Sequence, residues 1–438
     1  MSQTEDGIDL QMSLAEMLDL PRELTAEAQA ILQQLLHSRL RKIAGLDDDP
    51  RATILNAHNP PAEAPHKPDA TRLAKLYLEP TNQCNLQCRT CIRNVWQEPT
   101  GMMSDTVFDR VIDGLRDFSP PPTVFFGGFG EPLFHPRIIA MVAQAKGIGA
   151  RVEMITNGTL LTPDVSPHLL DAGIDVLWVS LDGTTPESYS DIRLGAELPQ
   201  VIENIAQFSE IRNDGQRHKS NSVPKYNAQL GIEFVAMKRN INDLPSALVL
   251  AHQLGAQQFI MTHLLPYTEN MIDQVLYSRG LRENGYPQPM LPPFDEGDPA
   301  GEALAAALRN MNVTISGNNR QTAVDHCPFI EGESGAIRWD GGLSPCPPLL
   351  HSHVSYPVGR ERFSRSWTIG NVAEHDLGNL WNTAEHIAFR KRVLAFSFPQ
   401  CTKCGGCEMS DRNEEDCLLN TFPTCGGCWW AEGAIRCP

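Results

Sequence analysis

A chain of 438 residues, 41% hydrophobic and 20% charged, has the balance of a globular protein of about two or three domains with a sizeable core. Its formal net charge of −17 disfavours sequence-independent nucleic-acid binding, which depends on Lys and Arg neutralising phosphates. No apolar run is long enough for a membrane span, and the acidic opening MSQTEDGIDLQMSL has no signal-peptide core. The expectation is a cytoplasmic protein with no membrane and no nucleic-acid partner. Twelve cysteines in such a chain point to metal ligands rather than disulfides.

Residues 21–44 read as an amphipathic helix, with Pro21 at its first position and Ile31, Leu32, Leu35, Leu36, Leu40 and Ile43 at helical spacing. Residues 46–70, rich in Pro, Asp and Ala, read as a linker, so 1–70 is expected to be a helical segment with a linker. A strand–helix alternation then begins, with strands expected at 75–79, 123–126, 151–156, 176–180, 229–236 and 258–262. Helices are expected from Ser104, as N-cap of a stripe of Val107, Phe108, Val111, Ile112 and Leu115, and at 136–147, 199–212 and 243–254. This βα rhythm implies an α/β fold with a parallel sheet, too short for a complete eight-fold barrel; a partial barrel and an open sheet both satisfy it. Residues 213–227 read as a polar insertion, 71–277 as the core, 278–319 as a Pro- and Gly-rich linker, and 320–438 as a cysteine-rich domain.

The stretch LEPTNQCNLQCRTCIRNVW places Cys84, Cys88 and Cys91 just after the first strand, where parallel αβ folds keep their chemistry. Three thiols are one short of a closed zinc site, whereas on a cubane [4Fe–4S] cluster they leave one iron for a ligand that is not protein. The spacing C-x3-C-x2-C resembles the loop of the radical S-adenosylmethionine (SAM) enzymes, whose family fold is a partial (β/α)6 TIM-like barrel. Thr90 stands before the third cysteine, where that family often has an aromatic residue. Companion motifs follow at later strand ends. FFGGFGEPL, with Gly128, Gly130 and Glu131, resembles the family's glycine-rich motif; TNGTLL supplies Asn157, and VSLDG supplies Ser180 and Asp182. The resemblance implies that Glu131 accepts from the SAM amino group, that Ser180 meets the ribose and that Arg193, in DIRLG, meets the SAM carboxylate.

Cys327, Cys346, Cys401, Cys404, Cys407, Cys417, Cys425, Cys428 and Cys437 crowd the remainder. Cys401-x2-Cys404 with Cys425-x2-Cys428 has zinc-ribbon spacing, and Cys401, Cys404 and Cys407 have the spacing of a ferredoxin run. RWDGGLSPCPP and TIGNVAEHDLGNLW with these cysteines resemble a SPASM domain, which implies two auxiliary [4Fe–4S] clusters beside the SAM-binding one. Cys407 follows Cys404 after two residues where five intervene in the usual pattern. CIRNVW, FFGGFGEPL and the tail PTCGGCWWAEGAIRCP resemble the radical SAM maturases associated with tungsten-cofactor oxidoreductases.

The resemblance implies reductive cleavage of SAM to a 5′-deoxyadenosyl radical, with a peptide, protein or cofactor of a tungsten-type oxidoreductase as substrate. It also implies an electron donor such as ferredoxin or flavodoxin. Two other readings compete: a modifier of ribosomal peptides, making thioether or carbon–carbon crosslinks, and a zinc-stabilised binding module. His263 and Tyr267, closing the sixth strand, are expected to line the substrate pocket. Asp182 and Asp340 are candidate proton donors or acceptors, with a structural carboxylate the favoured reading of each, and His351 and His353 in HSH are expected to be exposed, without carboxylate partners.

Overall fold

A computed structural model describes residues 71–217, 225–281, 287–290, 312–315, 326–402, 404 and 407–438. The helix expected over 21–44 and the linker over 46–70 lie outside the described residues.

Six strands form where the alternation places them: β1 Lys75–Leu78, β2 Thr123–Phe126, β3 Val152–Thr156, β4 Val176–Ser180, β5 Gln229–Ala236 and β6 Gln258–His263. Between them run α1 Asp105–Leu115, α2 Ile138–Gly147, α3 Val165–Asp171, α4 Pro186–Ile192, α5 Leu198–Arg217 and α6 Leu244–Gln253. The strands pair in parallel and in unbroken sequence order. Right-handed crossovers in that order put every helix on one face, so the sheet curls about the other as a barrel does. On the helix face Leu76, Leu78, Val124, Phe126 and Met154 are buried; on the inner face Phe125, Val176, Trp178 and Ile260 cluster with Tyr77 and Ile155.

Ser104 caps α1 as expected, accepting from Val107 N at 3.3 Å. Helix α5 runs on to Arg217, into the polar stretch expected to begin at 213. Polar side chains do not end a helix when no proline or capping residue intervenes.

The sheet is wider than six strands. Residues 278–319, expected as a linker, contain the hairpin β7 Ser278–Leu281 and β8 Pro287–Met290, and then β9 Asn312–Ile315, which adds in parallel to β6. Asn-Val-Thr-Ile offers β-branched residues to that open edge. On the other side β10 Ser334–Ile337 pairs in parallel with β1, and β11 Gly342–Ser344 and, beyond the small hairpin of β12 His353–Ser355 and β13 Arg362–Ser364, β14 Gly370–Asn371 continue antiparallel. The ten strands lie in the order β14-β11-β10-β1-β2-β3-β4-β5-β6-β9. The cysteine-rich region is thus hydrogen-bonded to the core. It also contains α7 Pro328–Glu331, α8 Leu377–Trp381 and α9 Ala384–Leu394.

The last residues run along the inner face. His263 N donates to Ala434 O at 3.2 Å, and Arg436 N to Thr262 Oγ1 at 2.8 Å. Lys75 Nζ and Tyr77 OH donate to Pro438 O at 3.0 and 2.9 Å. No helix among the described residues is long and apolar enough to cross a membrane.

Candidate metal and cofactor site

The loop after β1 is fixed before it reaches its cysteines. Thr81 Oγ1 donates to Gly101 O at 2.7 Å and accepts from Gln83 N at 3.0 Å. Cys84, Cys88 and Cys91 follow, all half-buried and free of disulfides. Leu86 N donates to Cys84 Sγ at 3.4 Å, and Cys91 N to Cys88 O at 3.1 Å. Cys88 and Cys91 both lie within charge–charge range of Cys84, so the three thiols share one neighbourhood. Burial raises the Cys88 thiol and pushes Cys91 up to about 11. At neutral pH such thiols give up their protons to a metal rather than to water.

The glycine-rich loop after β2 packs on the root of this cysteine loop. Gly128 has φ +102°, in the region that favours glycine, and a Cβ there would press on Glu79 Cγ at 2.7 Å. A Cβ at Gly130 would overlap the Thr81 and Gln83 carbonyls. Glu131 is buried; it accepts from Leu133 N at 3.0 Å, Thr156 Oγ1 at 2.7 Å and Asn157 N at 2.8 Å. Three of the roughly four lone-pair positions of a carboxylate are therefore in use, and burial raises its pKa against those donors. Asn157 ties β3 to the cysteine loop, donating to Asn85 Oδ1 at 3.0 Å and to Cys84 Sγ at 3.8 Å.

Ser180, at the end of β4, donates to Glu233 Oε2 at 3.2 Å, and burial pushes Glu233 up to about 7. Asp182 is fully buried. It accepts from Arg193 Nε and Nη2, both at 2.7 Å, and from Val235 N at 2.9 Å. Burial opposes the Arg193 charge, but Asp182 and then Cys88 hold its pKa above the ordinary value. Arg193 is therefore part of a buried pair beside the cysteine loop. Tyr189, on α4 and 0% exposed, has a hydroxyl without a hydrogen-bond partner among the described residues. It lies within range of Arg193, Asp182, Cys88 and Glu131. A buried donor without a partner is costly, and this one faces the ground where the strand-end residues meet.

The later cysteines divide by neighbourhood. Cys346 lies within charge range of Cys327, Cys428 and Cys425, and desolvation raises all four thiols, Cys327 to about 12. Cys401 lies within range of Cys417 and Cys404, and burial pushes it up to about 11. Cys407 is on the same loop, its carbonyl accepting from Arg360 Nη2 at 3.0 Å. Cys437 stands on the inner face of the sheet. It accepts from Trp430 Nε1 at 3.4 Å, with Glu233, Lys75 and Cys428 in range. Its surface area is that of an exposed residue, yet burial pushes its thiol to about 12.

Two features went unread in the sequence. The HSH histidines are buried, not exposed, and His351 has carboxylates on both sides. Its Nε2 meets Glu79 Oε2 at 2.9 Å and its Nδ1 meets Glu98 Oε2 at 2.5 Å. Those partners lie 272 and 253 positions away in sequence, beyond the reach of any local pattern. Arg362 is 8% exposed and has Cys428, Cys401 and Cys425 in range, so one guanidinium serves both later thiol sets. A Cβ at Gly427 would strike its guanidinium, which explains a glycine between Cys425 and Cys428. Tyr267, expected at the pocket, packs edge-on to His353 at 5.6 Å, and His263 edge-on to Tyr277 at 6.1 Å. Asp340 pairs with Arg338 at 2.6 Å, the structural role expected of it.

Thiol-only sets, crowded enough to stay protonated without a metal, fit iron–sulfur clusters by donor chemistry. Among the described residues no three His, Cys, Asp or Glu side chains gather about one point as a single metal ion requires.

Residues 78–223 match the radical SAM superfamily, and residues 327–408 the SPASM iron–sulfur cluster-binding domain. The chain is 29% identical over 367 residues to the tungsten-containing aldehyde ferredoxin oxidoreductase cofactor-modifying protein of Pyrococcus furiosus, covering 83% of this chain and 96% of that protein. It is 31% identical over 387 residues to the AdoMet-dependent heme synthase of Nitratidesulfovibrio vulgaris, covering 85% and 92%. The structure of native anSMEcpe with bound AdoMet shares the fold at 16% identity, with a TM-score of 0.51 over 82% of this chain and 95% of that one.

Proposed function

Because this chain belongs to the radical SAM superfamily and carries a SPASM domain, we propose that it is a maturase modifying a peptide, protein or cofactor of a tungsten-type oxidoreductase. It is an enzyme that uses a [4Fe–4S] cluster, SAM and auxiliary iron–sulfur clusters. In the proposed assignment Cys84, Cys88 and Cys91 hold the SAM-binding cluster. Cys327, Cys346, Cys425 and Cys428 hold one auxiliary cluster and Cys401, Cys404, Cys407 and Cys417 the other, leaving Cys437 over. A reduced cluster held by Cys84, Cys88 and Cys91 would supply the electron for reductive cleavage of SAM to methionine and a 5′-deoxyadenosyl radical.

The chain's own part is placement. The loop through Gly128 and Gly130 brings bare backbone beside the cysteine loop, where methionyl groups can meet it. The Arg193–Asp182 pair, with no net charge, fixes a guanidinium beside Cys88. Ser180 and Glu233 face the inner side of the curl, and an electron donor such as ferredoxin or flavodoxin completes the scheme. The observation that carries the reading is the half-buried thiol triad at a strand end, Cys88 and Cys91 each within charge range of Cys84.

The test is anaerobic reconstitution, then SAM and dithionite, with 5′-deoxyadenosine measured alone and with candidate substrates. A tungsten oxidoreductase made without this enzyme is expected to change mass or gain activity on incubation. No 5′-deoxyadenosine from an intact cluster sinks the chemistry. Turnover only with a short precursor peptide, or with a porphyrin, sinks the substrate.

A further inference from the structure

Three segments far apart in sequence meet at one imidazole. His351 is 1% exposed and stacks on Trp96, with ring centroids 4.2 Å apart and planes at 29°. Trp96 follows the single turn Ile92–Val95 that begins just after Cys91. Phe129, from the glycine-rich loop, meets His351 edge-on at 5.8 Å and Trp96 at 5.6 Å. The carboxylates repeat the pattern. Glu79, at the end of β1, gives Oε2 to His351 and Oε1 to Phe129 N at 3.1 Å. Glu98, beyond the cysteine loop, gives Oε2 to His351 and Oε1 to Ser352 N at 2.9 Å. The glycine loop is thus held by a backbone bond to a carboxylate whose other oxygen is held by a residue of the SPASM region.

We propose that His351 is a positioning residue for SAM, its imidazolium clamped between Glu79 and Glu98 so that the SPASM region fixes the glycine loop against the cysteine loop. This rests on the reading of those two loops as the SAM site. His351 acts on the two loops through Glu79 and Phe129. Removing the imidazole leaves Glu79 buried without its counter-ion and frees it to draw Phe129 N out of place. The site then keeps its cluster and loses its fit to the ligand.

The charged state has a pH signature. Burial works against the imidazolium, but Glu79 and Glu98 raise His351 to about 9, above its ordinary value of 6.5. A group raised on folding contributes fully below 6.5, and its contribution is lost as pH rises through about 9. The clamp is also faced by the charged Arg338, 3.8 Å from Glu98, and by the titratable His353, which burial pushes down to about 4 and which is therefore neutral at these pH values.

The experiment uses the reconstituted full chain and reads SAM binding rather than turnover: the dissociation constant, and the change in the reduced cluster's electron paramagnetic resonance (EPR) spectrum on adding SAM. His351→Gln is expected to weaken binding about tenfold, the scale of one hydrogen bond to a charged group, with iron per chain unchanged. Wild-type affinity is expected to fall as pH passes about 9, and the His351→Gln profile to be flat there. Glu98→Gln, at a half-exposed position, leaves the core filled and is expected to move the fall to lower pH. A His351→Gln protein that binds SAM like wild type, or a Glu98→Gln profile that does not move, overturns the inference. A wild type that binds no SAM overturns the site reading beneath it as well.

Discussion

Cys84, Cys88 and Cys91 come from eight consecutive positions of one loop, are half-buried, and share one neighbourhood at a strand end. Cys327, Cys346, Cys425 and Cys428 come from three separate segments, yet their thiols are so enclosed that desolvation raises every one. The first set is compact in sequence and open in space; the second is scattered in sequence and closed in space. A metal site with a vacancy for substrate needs one loop that can be presented, whereas a site saturated by protein needs the fold to bring its ligands together.

The largest test of that contrast is a pair of substitutions. Cys91→Ala is expected to bring SAM cleavage to background and to remove about four irons per chain, one cubane's worth. Cys346→Ala is expected to lose the same iron but to keep the EPR response to SAM. Were Cys346→Ala to abolish that response while Cys91→Ala retained it, the open and closed roles would be reversed.

A smaller effect separates the two regions by charge. Arg362→Gln removes a buried cation facing Cys428, Cys401 and Cys425, and is expected to lower both auxiliary reduction potentials, on the order of tens of millivolts. The potential of the triad's cluster is expected to stay put. Equal shifts in all three, read by EPR-monitored redox titration, would remove the distinction.

The smallest effect is expected at Tyr189. Its hydroxyl has no partner among the described residues, so Tyr189→Phe is expected to change stability by less than about 1 kcal/mol while weakening SAM binding about fivefold. Thermal unfolding and equilibrium binding check the two halves separately.

The six core strands were legible because each is a short β-branched and aromatic run at helix-length intervals, and the triad because its cysteines are seven residues apart at most. Strands β9 and β10 were not legible. Four-residue runs carry no periodicity, and what makes them strands is the open edges of β6 and β1. The two histidines of HSH show the limit most plainly. They are two positions apart and identical in type, yet one is held at about 9 and the other at about 4.

The sequence by itself determined the parallel order of the core, the loop that carries the triad and the supply of thiols for further clusters, because spacing and periodicity are local. Only the tertiary structure decided which later thiols share a neighbourhood, that Arg193 is spent on Asp182, and that His351 sits between two carboxylates. Those depend on which distant groups exclude water from one another, and desolvation and pairing are properties of packing rather than of order along the chain.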